Sequence, residues 1–189
     1  MKRVLIKNVR LIDQTSKYDG HRCLLATPHT ISILETDRVG DVGVCHELDG
    51  SDLIALPGLV DLHVHFRQPG YEYKETIETG SCAALAGGVT TVVVMPNTQP
   101  ALDTPKRVET QICLSRQVNG VDVLVAAAVS EGLRGEKATD YKALKEAGAV
   151  AVTDDGRPVM DDALMENALK GCLDNDLLFM QHAEDLRLS

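Results

Sequence analysis

Hydrophobic positions along the chain fall into two rhythms that change at Pro57-Gly58. Up to that point short β-prone runs, over 4–12, 23–26, 31–34 and 53–56, alternate with turn-rich segments such as Tyr18-Asp19-Gly20 and Leu48-Asp49-Gly50. The pattern predicts a small β unit. Past Gly58, strand-like stretches over 59–65, 89–95, 121–129, 149–152 and 177–181 alternate with helix-like stretches over 74–86, 104–117, 138–147 and 160–173. Each strand is a near-continuous apolar run, the pattern of parallel strands buried on both faces. Five strands spaced by roughly 30 residues fit βαβ units and a parallel sheet. Periodicity leaves open whether that sheet is open or closed. The expected division is residues 1–56 and 57–189.

Composition narrows the function classes. A hydrophobic content of 44% supplies a sizeable core. A formal net charge of -9 argues against nucleic acid or an anionic membrane as the main partner, because both need a basic face. A small metabolite is the expected partner. No window approaches the roughly 20 apolar residues of a bilayer span, and export is not indicated, so a cytoplasmic location is expected. The cysteines at 23, 45, 82, 113 and 172 form no C-x-x-C pair, which fits reduced thiols. Aromatics make up only 3% and Trp is absent, so stacking platforms for bases are not expected.

The densest chemistry is Asp61-Leu62-His63-Val64-His65-Phe66-Arg67-Gln68-Pro69-Gly70. If the strand holds through Arg67, side chains 61, 63, 65 and 67 share one face, and the two imidazoles at i and i+2 can reach one ion. Such a polar row at the end of an apolar strand is costly to bury without a metal or an anion. A hydrogen-bonded pair of structural histidines is the competing reading. Other candidates end later strands. Asn97, after Pro96, either binds a substrate carboxylate or forms an Asx-turn. Thr153-Asp154-Asp155-Gly156 reads on composition as a turn and helix N-cap. His182, in Gln181-His182-Ala183-Glu184, is either a ligand or a satisfied rim residue. These residues recur where strand gives way to loop, the edge at which α/β barrels place their active sites.

Together the motifs resemble the cyclic amidohydrolases and, within them, the class I dihydroorotases. The resemblance is carried by Leu56 to Gly70, by Ala86-Gly87-Gly88-Val89-Thr90-Thr91 with Met95-Pro96-Asn97-Thr98, by Asp154-Asp155-Gly156-Arg157-Pro158-Val159 and by His182-Ala183-Glu184-Asp185. It implies an α/β fold: about five βα units of a metal-dependent hydrolase (β/α)8 TIM barrel, behind the N-terminal part of a small β-sandwich domain. It further implies two Zn2+ ions, with His63 and His65 on one, His182 on the second, and an Asp of the fourth strand as the bridge. The family's spacing gives Asp155 that place, with Asp154 as the alternative. No Lys lies between Gly148 and Gly156 to serve as the carbamylated bridge of the hydantoinases. His65, Arg67 and Asn97 are assigned to substrate, and Arg67 in place of Asn favours an acidic ring. Gln68 departs from the family's usual Glu.

The activity implied is reversible hydrolysis of (S)-dihydroorotate to N-carbamoyl-L-aspartate in pyrimidine biosynthesis. The family's remaining zinc His and its proton-shuttling Asp are expected beyond residue 189, so no catalytic acid or base is assigned here and the isolated chain is expected to be inactive. Homo-oligomerisation or association with aspartate transcarbamoylase is a further expectation. The alternatives are a non-catalytic dihydroorotase-like partner of that enzyme and a hydantoinase- or allantoinase-like cyclic amidase.

Overall fold

The computed structural model describes residues 3–35 and 46–189, and the chain folds as two units, Met1–Pro57 and Gly58–Ser189. Cys45 lies outside the described residues; Cys23, Cys82, Cys113 and Cys172 are free thiols. Among the described residues no helix is long and apolar enough to cross a membrane.

The first unit is built on the long strand β1 (Val4–Asp13), which pairs antiparallel with β2 (Tyr18–Ala26). β3 (Ile31–Leu34) adds antiparallel to β2, while β4 (His46–Asp49) and β5 (Ile54–Ala55) run parallel to β1. Val9, Leu11 and Leu24 form its small core. Two expectations are corrected. Tyr18-Asp19-Gly20 is strand, because the reversal occurs over the preceding residues, where the Lys17 N–H bonds the Gln14 carbonyl. Leu48-Asp49 belongs to β4, a strand with all four residues exposed and therefore without an apolar signature. Where a sandwich was expected, the described residues of this unit form a single sheet.

The second unit is a parallel sheet in the order β10-β9-β8-β7-β6. Its strands are β6 (Leu59–Val64), β7 (Val89–Val94), β8 (Asp122–Ala127), β9 (Ala149–Val152) and β10 (Leu178–Phe179), separated by helices α1 (Ile77–Ala86), α2 (Pro105–Ser115), α3 (Tyr141–Glu146) and α4 (Asp162–Asp174). The helices start where local chemistry satisfies their free N–H groups. Thr76 and Thr79 form a capping box on α1, and Asp140 and Asp161 cap α3 and α4 through their side chains. The cap of α4 is thus Asp161, not the Asp154-Asp155 pair.

Val92, Val125 and Val152, one from each central strand, are fully buried in the main core with Leu144 of α3 and Val108 of α2. Burying side chains of this size contributes about 1.5–3 kcal/mol each. Phe66, just past β6, enters the same core beneath α1. A Cβ on Gly80 would lie 2.3 Å from the Phe66 ring, so this approach requires glycine.

Candidate metal centre

The site is built at the carboxyl ends of β6, β7 and β9. β6 is irregular: Asp61 is level with Val92 and Val64 with Val94, so three residues of β6 span two of β7. This bulge corrects the expectation that 61, 63, 65 and 67 share one face. Asp61 and Val64 pair in register with Val92 and Val94, and the exposed Asp61 carboxylate accepts the His63 N–H at 3.0 Å. Regular strand ends at Val64, and Arg67 has φ 55, a left-handed conformation that an arginine rarely adopts. Gln68 then turns to α1, its Oε1 accepting the Ile77 N–H at 3.1 Å, so this residue helps cap the helix.

Downstream of the bulge the two imidazoles converge. His63 and His65 bring their Nε2 atoms to 3.3 Å, with the rings edge to face at 73°. Asp155 arrives from the end of β9, its Oδ1 3.3 Å from His63 Nε2 and its Oδ2 3.5 Å from His65 Nε2. These three side chains form a group whose ligand atoms lie within 4.8 Å of one another. A tetrahedral ion with bonds of about 2.0–2.1 Å has ligand atoms about 3.4 Å apart. The imidazole–imidazole distance matches that edge and each imidazole lies near one oxygen of the carboxylate, so the donor set of two imidazole nitrogens and a carboxylate fits a zinc-like cation by its chemistry. The carboxylate retains 12% side-chain exposure against 48% for His63, which leaves the group open on the His63 side.

Asn97 organises the group. Its Nδ2 donates to Asp155 Oδ2 at 2.8 Å, while its Oδ1 faces His65 Nδ1 at 3.0 Å and accepts from an Arg67 guanidinium N–H at 3.3 Å. Both ends fix the amide the same way: a carboxylate can only accept, and a guanidinium can only donate. With oxygen facing His65, Nδ1 carries the proton and Nε2 presents its lone pair to the group. The His65 pKa is lowered, first by burial, with Arg67 and His63 adding to the effect and Asn97 and Asp155 opposing it. That direction favours the neutral, ligating imidazole. The Asx-turn reading of Asn97 is therefore corrected: its side chain reaches across to β6 and β9.

Asp154 does not join the group; its carboxylate is bonded to Val129 and Ser130. His182 stands outside the group as well, with its Nε2 3.0 Å from Glu184 Oε2. Sequence reading missed the cleft of about 910 Å3 that opens beside Asn97 and Asp155, with Tyr71, Arg107, Arg134 and Arg157 among its walls. The signal that was available is Arg157 directly after the Asp154-Asp155-Gly156 turn.

The family model described as dihydro-orotase-like matches residues 52–189. The chain belongs to the dihydroorotase-like family. It is 40% identical over 187 residues to the dihydroorotase of Elusimicrobium minutum, covering 99% of this chain and 43% of that relative. To the dihydroorotase of Syntrophus aciditrophicus it is 42% identical over 188 residues, covering 99% of this chain and 44% of the relative. This dihydroorotase-like chain thus spans less than half the length of these relatives. Among solved structures the L-hydantoinase of Arthrobacter aurescens superposes with a TM-score of 0.77 at 22% identity, covering 98% of this chain and 41% of that one. At that identity the likeness shows a shared fold.

Proposed function

We propose that this chain carries a zinc-binding and substrate-orienting portion of a dihydroorotase, which hydrolyses (S)-dihydroorotate reversibly to N-carbamoyl-L-aspartate in cytoplasmic pyrimidine synthesis. The observation that carries the reading is the convergence of His63, His65 and Asp155, one ligand atom of each lying within 4.8 Å of the others. Zinc, when bound, supplies the acidity that makes water nucleophilic near neutral pH and polarises the amide carbonyl. The side chains do the rest. His65 is held by Asn97 with its Nε2 lone pair forward, and Asp155 is held by the same amide. Among the described residues the Arg67 side chain bonds the neutral Asn97 oxygen, which leaves guanidinium N–H groups for a substrate carboxylate. Such a clamp orients an acidic ring for attack, which favours dihydroorotate over the uncharged rings of a hydantoinase.

On this reading the five βα units form part of a (β/α)8 barrel. The parallel order and the position of β6 and β10 at the two edges of the sheet support it. His182 takes a second zinc only if its contact with Glu184 opens.

The test is zinc stoichiometry together with equilibrium binding of dihydroorotate and of a hydantoin to the purified protein, parent against Asp155→Ala. The expected outcome is bound zinc in the parent and a loss of affinity of at least about 100-fold in the variant, beyond the effect of removing an outer partner. A parent that holds no zinc, or one that binds the hydantoin and ignores dihydroorotate, would sink the proposal.

A further inference from the structure

Two adjacent aspartates follow β9, and only one faces the imidazoles. Asp154 is 3% exposed and turns toward the extension of β8. There its Oδ1 accepts the N–H of Val129 at 2.8 Å and of Ser130 at 3.1 Å, and its Oδ2 accepts the Ser130 hydroxyl. An ionised carboxylate can only accept, so the Ser130 proton is the one given to Asp154, while Ser130 Oγ accepts the Gly135 N–H at 2.7 Å.

One buried carboxylate therefore ties together the end of β9, the end of β8 and the loop over residues 130–139. That loop closes on itself through the Glu131 N–H to the Lys137 carbonyl and the Thr139 N–H to the Val129 carbonyl. Glu131, Leu133 and Arg134 line the same cleft as Asn97 and Asp155. On the other side of Asp154, its carbonyl accepts the Arg157 N–H at 2.8 Å, closing a turn in which Gly156 has φ 77. Asp155 sits inside that turn. Its direction is thus set by the residue before it and the glycine after it.

Burying a carboxylate is a costly way to join two strand ends, and apolar packing would serve stability as well. A rigid anchor next to a ligand has a different value: partners behind a metal ligand set its orientation and so its affinity. We propose that Asp154 is a positioning residue of the metal centre, clamping the ends of β8 and β9 so that the following turn aims the Asp155 carboxylate at His63 and His65. The inference rests on the reading of His63, His65 and Asp155 as metal ligands.

The experiment is a Co2+ titration of the full chain, read by visible absorption, comparing the parent with Asp154→Asn and Ser130→Ala. It is carried out well below the unfolding temperature of each variant, measured by circular dichroism. The expected result is binding weakened about 10–100-fold in Asp154→Asn, with an altered absorption envelope, and a smaller loss in the same direction in Ser130→Ala. A purely structural role would lower the unfolding temperature and leave both the Co2+ Kd and the envelope unchanged, which overturns the inference while the metal reading stands. No Co2+ binding by the parent overturns both. Should Asp154→Asn fail to fold, Ser130→Ala decides alone, since it keeps the carboxylate and both backbone bonds; an unchanged Kd there counts against the clamp.

Discussion

The surface of the first unit and the strand-end rim of the second carry their polar groups in different ways. In the first, opposite charges meet at the surface: Lys7 and Glu47 approach to 2.6 Å with side chains 46% and 55% exposed, and Arg10–Asp19 and Arg22–Glu35 are similar pairs. Water screens such pairs, and either partner can exchange it for solvent. In the second unit, His65, Asn97 and Asp155 are drawn part-way into the protein at the ends of three strands, and each fixes the proton or the orientation of the next. The difference lies in dependence. A surface pair is a local convenience, whereas each member of the rim network determines what its neighbour can bind.

The sharpest way to test the contrast begins beneath it. Leu144 is fully buried in the core under the rim, and Ile31 of the first unit is 71% exposed. Leu144→Ala should cost about 2–5 kcal/mol in urea unfolding, and Ile31→Ala no more than about 0.5 kcal/mol. Comparable losses would mean that the two sheets are packed alike. Next comes the network itself. Asn97→Ala removes the acceptor of His65 Nδ1 and the donor to Asp155 together, and the metal Kd should rise about 10-fold or more with little change in stability. Calorimetric titration with Zn2+ checks this; an unchanged Kd would reduce Asn97 to a substrate contact. The smallest effect belongs to the surface. A double-mutant cycle on Lys7 and Glu47 should yield a coupling of about 0.2–1 kcal/mol that shrinks as salt is added, and a larger, salt-insensitive value would erase the distinction.

Much of this was legible in the chain because buried parallel strands leave a strong trace. Val89 to Val94 and Ala149 to Val152 are unbroken small and β-branched runs, and strands form there. The weaker traces misled. His46 to Asp49 is polar throughout except for Leu48 and becomes a strand because backbone groups of β1 pair with it, a cause that no side-chain pattern records. Asp61 was aligned with His63 by simple alternation, and one bulge between Asp61 and Val64 broke that alternation. The motif around His63 and His65 was noticed without the structure because a row of polar side chains at the end of an apolar strand stands out, although the spacing alone also allowed a hydrogen-bonded structural pair. The choice between Asp154 and Asp155 did need it: two identical side chains in sequence are distinguished only by what surrounds each.

By itself, the sequence determined the alternation of strand and helix past Gly58 and the residue types available where the strands end, although β8 and β10 stop two residues earlier than the pattern gave. These are local properties, set by hydrophobic period, turn chemistry and the identity of single side chains. Tertiary structure decided which ends meet. It brought Asp155 across a long stretch of chain to His63 and His65, gave Asn97 the task of setting a tautomer, buried Asp154 behind its neighbour, and left His182 paired with Glu184. The reason is geometric: coordination and hydrogen bonding act over about 2–3.5 Å, and only the register of the parallel strands specifies distances on that scale.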